Sequence, residues 1–429
     1  TGSIGSISGS FTGNYAQSDS SYAYGGAIEN SGTIGTITAN FQDNYAEGNN
    51  DDSSKIGAYG GAIVNSGADA KITKIVGDFI TNHAENKTGV SDAYGGAIYN
   101  RDEAEITNGI EGNFTGNWAK AASGQASGGA IYNNSGTIGT ITANFKDNYA
   151  EGNNDDSSKI GAMGGVIANL GANAKITKIV GDFITNHAEN KTGVSSAYGG
   201  AIYNRNRAEI TNGIEGNFTG NYAKAVSGTA YGGAIYNDKS TIGNISGNFT
   251  DNYTQSTSGI VNGGAIFNGN GTIGNVSGDF IANYAQSTSG QINGGAITQL
   301  GNATNKATIT SINGNFDGNY AVSGAAVSGG AINNNSYSEI TNGIIGNFTN
   351  NYAKSTGTSA LARGGAVLNF GYIKSIAAKT ADGFKGNYAE SSGTGAIGGA
   401  LFNQYGTSEQ GQIDSITSNL TNNYAYARS

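Results

Sequence analysis

The chain contains no cysteine and no proline, and only one methionine and one tryptophan, among its 429 residues. Without cysteine there is neither a disulfide framework nor a thiolate metal site, which excludes zinc fingers, iron–sulfur centres and cysteine proteases. Without proline, and with 37% hydrophobic residues, the chain is neither collagen-like nor a disordered proline-rich segment. Long apolar runs are missing too. Gly, Asn, Ser or Thr interrupts every Ile or Phe cluster within a few positions, so no segment reads as a membrane-spanning helix. Charge is scarce at 12%, the net charge is -9, and the 22 Lys plus Arg are scattered, which leaves no footprint for a phosphate backbone and no expectation of a nucleic-acid partner. No Met precedes Thr1, so a targeting segment is expected to have been removed or to lie outside the chain. Richness in Gly, Asn, Ser and Thr with no Cys fits an extracellular or cell-surface bacterial protein.

What is abundant is glycine, at 72 residues, and it is periodic. Gly-Gly-Ala-Ile, with Val or Leu as variants, begins at Gly25, Gly60, Gly95, Gly128, Gly164, Gly199, Gly232, Gly263, Gly294, Gly329, Gly364 and Gly398, at intervals of 31 to 36 residues. Between these copies runs Phe-x-x-Asn-aromatic-Ala, first at Phe11 to Ala16 and last at Leu420 to Ala425, where Leu replaces Phe; Thr254 is the one departure from Ala. An Ile-x-x-Ile or Ile-x-x-x-Ile string precedes each, as at Ile34 and Ile37 or Ile106 and Ile110. Each period therefore holds three short β-rich strings separated by Gly, Asn and Ser, which is the pattern of one coil of a parallel β-solenoid. Helical repeats fail on glycine, each interior copy costing about 1 kcal/mol against Ala. A propeller fails because thirteen blades exceed what that closed form holds. The expected fold is all-β: a parallel β-helix of about 12 coils of 31–36 residues, three short strands per coil, forming a single continuous solenoid over residues 1–429 on the order of 60 Å long.

Two asparagine rows follow from the repeat. The first comprises Asn14, Asn44, Asn82, Asn117, Asn148, Asn186, Asn221, Asn252, Asn283, Asn319, Asn351, Asn387 and Asn423. The second, two residues past each Gly-Gly-Ala-Ile motif, comprises Asn30, Asn65, Asn100, Asn133, Asn169, Asn204, Asn237, Asn268, Asn334, Asn369 and Asn403, with Gln299 as the one exception. Both are expected to be buried ladders whose amides bond from coil to coil and satisfy backbone groups at the corners. The aromatic after the first row is Tyr except at His83, His187 and Trp118, so both histidines read as ladder members rather than catalytic bases. Between the Ile of the Gly-Gly motif and the second Asn row, alternation points one side chain outward. That column contains Tyr99, Tyr132, Tyr203, Tyr236, Phe267 and Phe402, and with the motif's Ala beside it the expectation is an exposed aromatic contact stripe, either lateral or glycan-binding.

Residues 33–136 and 137–240 align without gaps over 104 positions, 88 of them identical, so three coils have been copied as a block. Copying of this kind lengthens a spacer or filament, whereas a catalyst gains little from it.

With both motifs present, the chain resembles the repeat region of the polymorphic outer-membrane proteins and related autotransporter passengers, whose repeats combine Gly-Gly-Ala-(Ile/Leu/Val) with Phe-x-x-Asn. The resemblance covers the whole chain and implies a secreted or surface-displayed right-handed β-helix acting in adhesion, with a C-terminal barrel as anchor. The chain has no barrel, linker helix or Cys of that pattern, and the match lies in scaffold positions that transfer no adhesion residues.

Parallel β-helices also host polysaccharide-active enzymes, which need clustered carboxylates or basic residues on one face. The densest acidic group is Glu47-Gly48-Asn49-Asn50-Asp51-Asp52, copied as Glu151-Gly152-Asn153-Asn154-Asp155-Asp156; its spacing matches no calcium loop, and it reads as a solvated loop. Ice binding is excluded because Thr36-Ile37-Thr38 is replaced by Ser6-Ile7-Ser8, Asn244-Ile245-Ser246 and Asn275-Val276-Ser277 in equivalent places. No catalytic residue, metal ligand or cofactor is assigned. Two non-enzymatic classes stay open: a structural subunit that stacks head-to-tail on itself into a filament, and a monomeric adhesin that binds a host receptor or glycan. The first is favoured by a chain that begins in an Ile strand and ends just past a Phe-type motif, with no polar cap at either end.

Overall fold

A computed structural model describes residues 2–49, 56–156, 160–404 and 411–428. It is a right-handed parallel β-helix with no helix among the described residues. The chain divides into two compact units, one of Thr1–Glu215 with Lys224–Gly228 and one of Gly216–Ala223 with Thr229–Ser429.

In each unit the strands form four parallel sheets, here A to D in the order the chain visits them. Sheet A takes the Ile string and the Phe, sheet B the aromatic-Ala segment, and sheet D the segment after Gly-Gly-Ala. Sheet C is an addition to the three strings legible in the repeat: strands of two to four residues such as Ala93 and Tyr94, just before each Gly-Gly. Register is in step from coil to coil. In the first unit Ile4 faces Ile34, Ile34 faces Ile72, and Ile72 faces Ile106. The longer Ile-x-x-x-Ile copies keep this register by bulging one residue, with Gly109 at φ 82° taking up the slack between Ile106 and Ile110.

Identical inward positions stack on themselves. Phe41, Phe79 and Phe114 are fully buried with ring centroids 4.9 and 4.7 Å apart, and in the second unit Phe280, Phe316 and Phe348 repeat this at 4.8 Å. Stacked parallel rings at this spacing add to the burial of 150–250 Å² per ring, so each Phe is worth about 3 kcal/mol or more. Sheets B and C meet through small side chains, Ala93, Ala119, Ala121, Ala126 and Ala150 in the first unit, which brings those two sheets close together.

Both asparagine rows lie at corners, the first between sheets A and B and the second between D and A. In the first row every member from Asn44 to Asn387 is fully buried, and Asn14 and Asn423 are partly exposed. In the second row Asn65 through Asn369, with Gln299, are fully buried, Asn30 is 6% exposed, and Asn403 is exposed.

Candidate contact surface

A solenoid has its functional chemistry on its outer faces, so the site question becomes which side chains point out and whether solvent reaches them. The proposed aromatic stripe points out of the coil but is not exposed. Tyr99 and Tyr203 are 1% accessible, Tyr132 and Phe267 3%, and Tyr236 5%, while Phe402 is half-buried. The stripe is therefore corrected from contact face to packing. The cause is sheet C, whose outward residues converge with those of sheet D over the Gly-Gly corner. Tyr94 stacks on Tyr132 at 4.6 Å, Tyr59 meets Tyr99 edge-on at 4.7 Å, and Tyr231 stacks on Phe267 at 4.8 Å. Arg101 closes the top of the first cluster, its guanidinium 5.5 to 5.8 Å from the Tyr24, Tyr59 and Tyr99 rings. Of the non-aromatic members of the column, Val64, Ala168, Thr298, Asn333 and Leu368 are buried as well, and Glu29 in the first coil is exposed. The motif's Ala is also not outward-facing in solvent: Ala62, Ala97 and Ala130 are fully buried.

The aromatic row that does reach solvent from coil to coil is that of sheet B. Tyr15 is exposed, and Tyr45, His83, Trp118, Tyr149 and His187 above it are half-buried. They form one stack: Tyr45 to His83 is 5.1 Å, His83 to Trp118 4.1 Å, Trp118 to Tyr149 5.9 Å and Tyr149 to His187 5.1 Å, all within 5° of parallel. Two residues further along each strand runs a polar row. Gln17 donates to Glu47, Lys87 pairs with Glu47 at 2.6 Å, Lys191 with Glu151 at 2.7 Å, and Lys224 with Glu189 at 3.0 Å.

This placement also corrects the reading of the acidic segments. Glu47 and Glu151 are strand residues, each 6% exposed and each engaged by lysine, and in the copy only Asp155 and Asp156 face solvent. Asn50, Asp51 and Asp52 lie outside the described residues. Among the described residues no group of three or more His, Asp or Glu is placed to hold a metal ion. On sheet A, Thr36 is followed in register by Lys74, which pairs with Glu111 at 2.7 Å, so the hydroxyl row of Ser6 and Thr36 is interrupted by charge.

Burial inside the stack holds the imidazoles of His83 and His187 down to a pKa of about 4, the effect of desolvation outweighing nearby Glu47 and Glu151. The folded chain thus resists a proton that the unfolded chain accepts near pH 6.5. Stability is full above that pH, falls as pH drops from about 6.5 to about 4, and levels off below, by at most about 3 kcal/mol per histidine. Replacing both by Tyr, the usual residue of the row, is expected to flatten the pH dependence of the urea midpoint between pH 7 and 4.5. An equally steep dependence in the double variant would count against this cause.

Compared with protein-family models, with curated proteins and with solved structures, the chain matches none. The functional reading therefore rests on the geometry of the coils themselves.

That geometry includes a third Asx row that the sequence reading missed. Its signal was present, since nearly every Phe of sheet A is preceded by Asn or Asp. Asp78 N–H donates to Asn40 Oδ1 at 2.9 Å, Asn113 N–H to Asp78 Oδ1 at 2.8 Å, and in the second unit Asn315 N–H to Asp279 Oδ1 at 2.8 Å. The members of this row mostly face solvent, where replacing one exchanges a protein acceptor for water.

All three rows have a polarity. In the buried rows the amide of one coil donates to the carbonyl oxygen of the next: Asn44 to Asn82 at 2.9 Å, Asn82 to Asn117 at 3.0 Å, Asn65 to Asn100 and Asn100 to Asn133 at 2.8 Å. The second unit keeps the same sense, from Asn252 through Asn283 and Asn319 to Asn351, and Gln299 fits it by accepting from Asn268 and donating to Asn334. In the outer row the sense is opposite, the later coil donating to the earlier.

Proposed function

We propose that the chain is a non-enzymatic, extracellular structural subunit whose coils stack head-to-tail on those of further copies, building a surface or secreted filament with an adhesive role. The observation that carries this reading is the polarity of the ladders. A coil face that donates from its two buried rows complements only a face that accepts at those rows, and the reversed outer row adds the same condition with opposite sign. Two like faces would meet donor against donor. Head-to-tail contact, by contrast, reuses the strand pairing and rungs already present between neighbouring coils, so no new chemistry is needed.

The duplicated three-coil block fits a role in which reach matters, and the adhesive part follows from the resemblance to autotransporter passengers. The purified chain is expected to show a scattering mass that climbs above 43.3 kDa with concentration and unbranched filaments in negative stain. A constant 43.3 kDa species with no filaments rejects assembly and leaves the monomeric adhesin. Beads coated with the chain are expected to attach to host cells or glycan surfaces, and attachment no better than albumin-coated beads rejects the adhesive role.

A further inference from the structure

The exposed aromatic row of the second unit differs from that of the first in containing only tyrosine. From Tyr222 to Tyr424 seven phenols lie one above another on sheet B, with successive centroids 4.8, 4.8, 4.9, 5.0, 4.8 and 5.0 Å apart. Interplanar angles are 1° to 3° for every step but the first, which is 11°. The five rings from Tyr253 to Tyr388 are half-buried, while Tyr424 is 50% exposed. Ring stacking alone does not distinguish tyrosine from phenylalanine, because the fully buried Phe row of sheet A stacks at a similar spacing; what the half-buried position adds is water within reach of a hydroxyl.

Tyrosine differs from phenylalanine in two respects, a hydroxyl and a low enough oxidation potential to give up one electron. Near-parallel rings with centroids 4.8 to 5.0 Å apart are close enough to couple electronically, and the coupling decays steeply with any added gap. No thiol, thioether or indole competes for an electron vacancy in this unit: the chain has no cysteine, and its single methionine, Met163, and single tryptophan, Trp118, are in the first unit, which leaves tyrosines outside the stack, such as Tyr231, Tyr372 and Tyr426, as the other oxidisable side chains. We propose that the Tyr222–Tyr424 stack is a radical relay, passing a one-electron oxidation delivered by an outer-sphere oxidant, such as a ruthenium(III) polypyridyl complex, from rung to rung along sheet B.

The balance of each step is simple. The oxidant takes one electron from a phenol, the O–H bond breaks, and the proton leaves to water, giving a neutral phenoxyl radical. The next phenol then gives up an electron through the stacked rings and a proton to water, while the first regains both. Each hop moves one hydrogen-atom equivalent and consumes nothing further. Burial holds the Tyr284, Tyr320, Tyr352 and Tyr388 phenols above the usual range, so they begin as neutral phenols at neutral pH and every oxidation must shed its proton. Their partial exposure supplies the water that accepts it.

The absence of cysteine makes the test direct. In full-length chain carrying Trp118→Tyr, a ruthenium photo-oxidant is attached at Gln255→Cys, two residues beyond Tyr253 on the same face, and 3-aminotyrosine incorporated at position 388, which is easier to oxidise than tyrosine, serves as the radical trap. After flash oxidation, an aminotyrosyl radical is expected at position 388, and adding Tyr320→Phe, which preserves the stack but not the oxidisable group, is expected to cut its yield at least tenfold. An unchanged thermal midpoint in the Phe variant verifies that packing is intact. Equal radical yield with and without Tyr320→Phe overturns the relay, as does absence of the aminotyrosyl radical in the uninterrupted stack.

Discussion

Gly295→Ala is expected to destabilise the chain by about 4 kcal/mol or more, a large effect for a single methyl addition, because the space for a Cβ is already occupied by backbone. A Cβ at this residue would lie 2.0 Å from the carbonyl oxygen of Gly330 and 2.6 Å from the backbone of Tyr320. Neither neighbour can swing aside as a side-chain end would, since both belong to strands or corners held in register by adjacent coils. The preceding glycine is required for a different reason. Gly294 adopts φ 70°, and a Cβ there would meet the carbonyl of Ile297 at 2.3 Å. The Gly-Gly pair is thus one residue for the turn and one for the close approach of coils. Thermal or urea unfolding of Gly295→Ala checks this, and a loss below about 1 kcal/mol would mean that the coils can separate locally at negligible cost.

Asn319→Leu is expected to cost about 3 to 5 kcal/mol, although leucine is similar in size and the site is fully buried. Asn319 Oδ1 accepts both the backbone N–H and the side-chain amide of Asn283 at 3.0 Å, while its own amide donates to Phe280 O at 2.8 Å and Asn351 Oδ1 at 2.9 Å. Leucine removes four hydrogen bonds from a dry corner: Asn283 N–H loses this acceptor, Phe280 O loses the amide, and Asn283 Nδ2 and Asn351 Oδ1 are each left with one remaining bond, to Phe249 O and from the backbone N–H at position 319, an unpaired buried group costing about 1–3 kcal/mol before relaxation. The matching control is Asn315→Ala in the outer row, where water replaces the lost acceptor and the loss is expected to stay under about 1 kcal/mol. Comparable urea midpoints for the two variants would contradict the distinction between buried and solvated rows.

The contrast between these rows shows how far the sequence could be read. Period and residue identity were enough to place Ile34 on Ile72 and to put the Asn44 and Asn65 rows at corners, because a repeat that stacks on itself must bring like residues together. They were insufficient for the Tyr99 column. Alternation tells which side of a strand a residue occupies, and Tyr99 does point out of its coil. It does not tell that the outside of the Gly-Gly corner is a groove filled by Tyr59 and Tyr94, because sheet C is too short to produce a periodic signal of its own. Glu47 was misjudged for a related reason: it was read as the start of an acidic loop, whereas it is the third residue of the Tyr45–Gly48 strand with a lysine over it. The radical-relay stack needed distances, since the recurrence of tyrosine in the sequence is equally compatible with rings that splay apart.

The hydrogen bonds of the parallel sheets and of all three Asx rows run from coil to coil, roughly at right angles to the strands that carry them. A force that lifts an end coil from its neighbour within a unit therefore pulls on those bonds lengthwise, in sequence, instead of shearing a whole sheet at once. Such a structure peels. Each released coil extends into free chain and leaves behind a face identical in kind to the one just lost, so resistance should stay nearly constant from one coil to the next, and relaxation should rewind the coils in the reverse order. The same ladders that fix the register would then make each unit a soft, reversible extensible element.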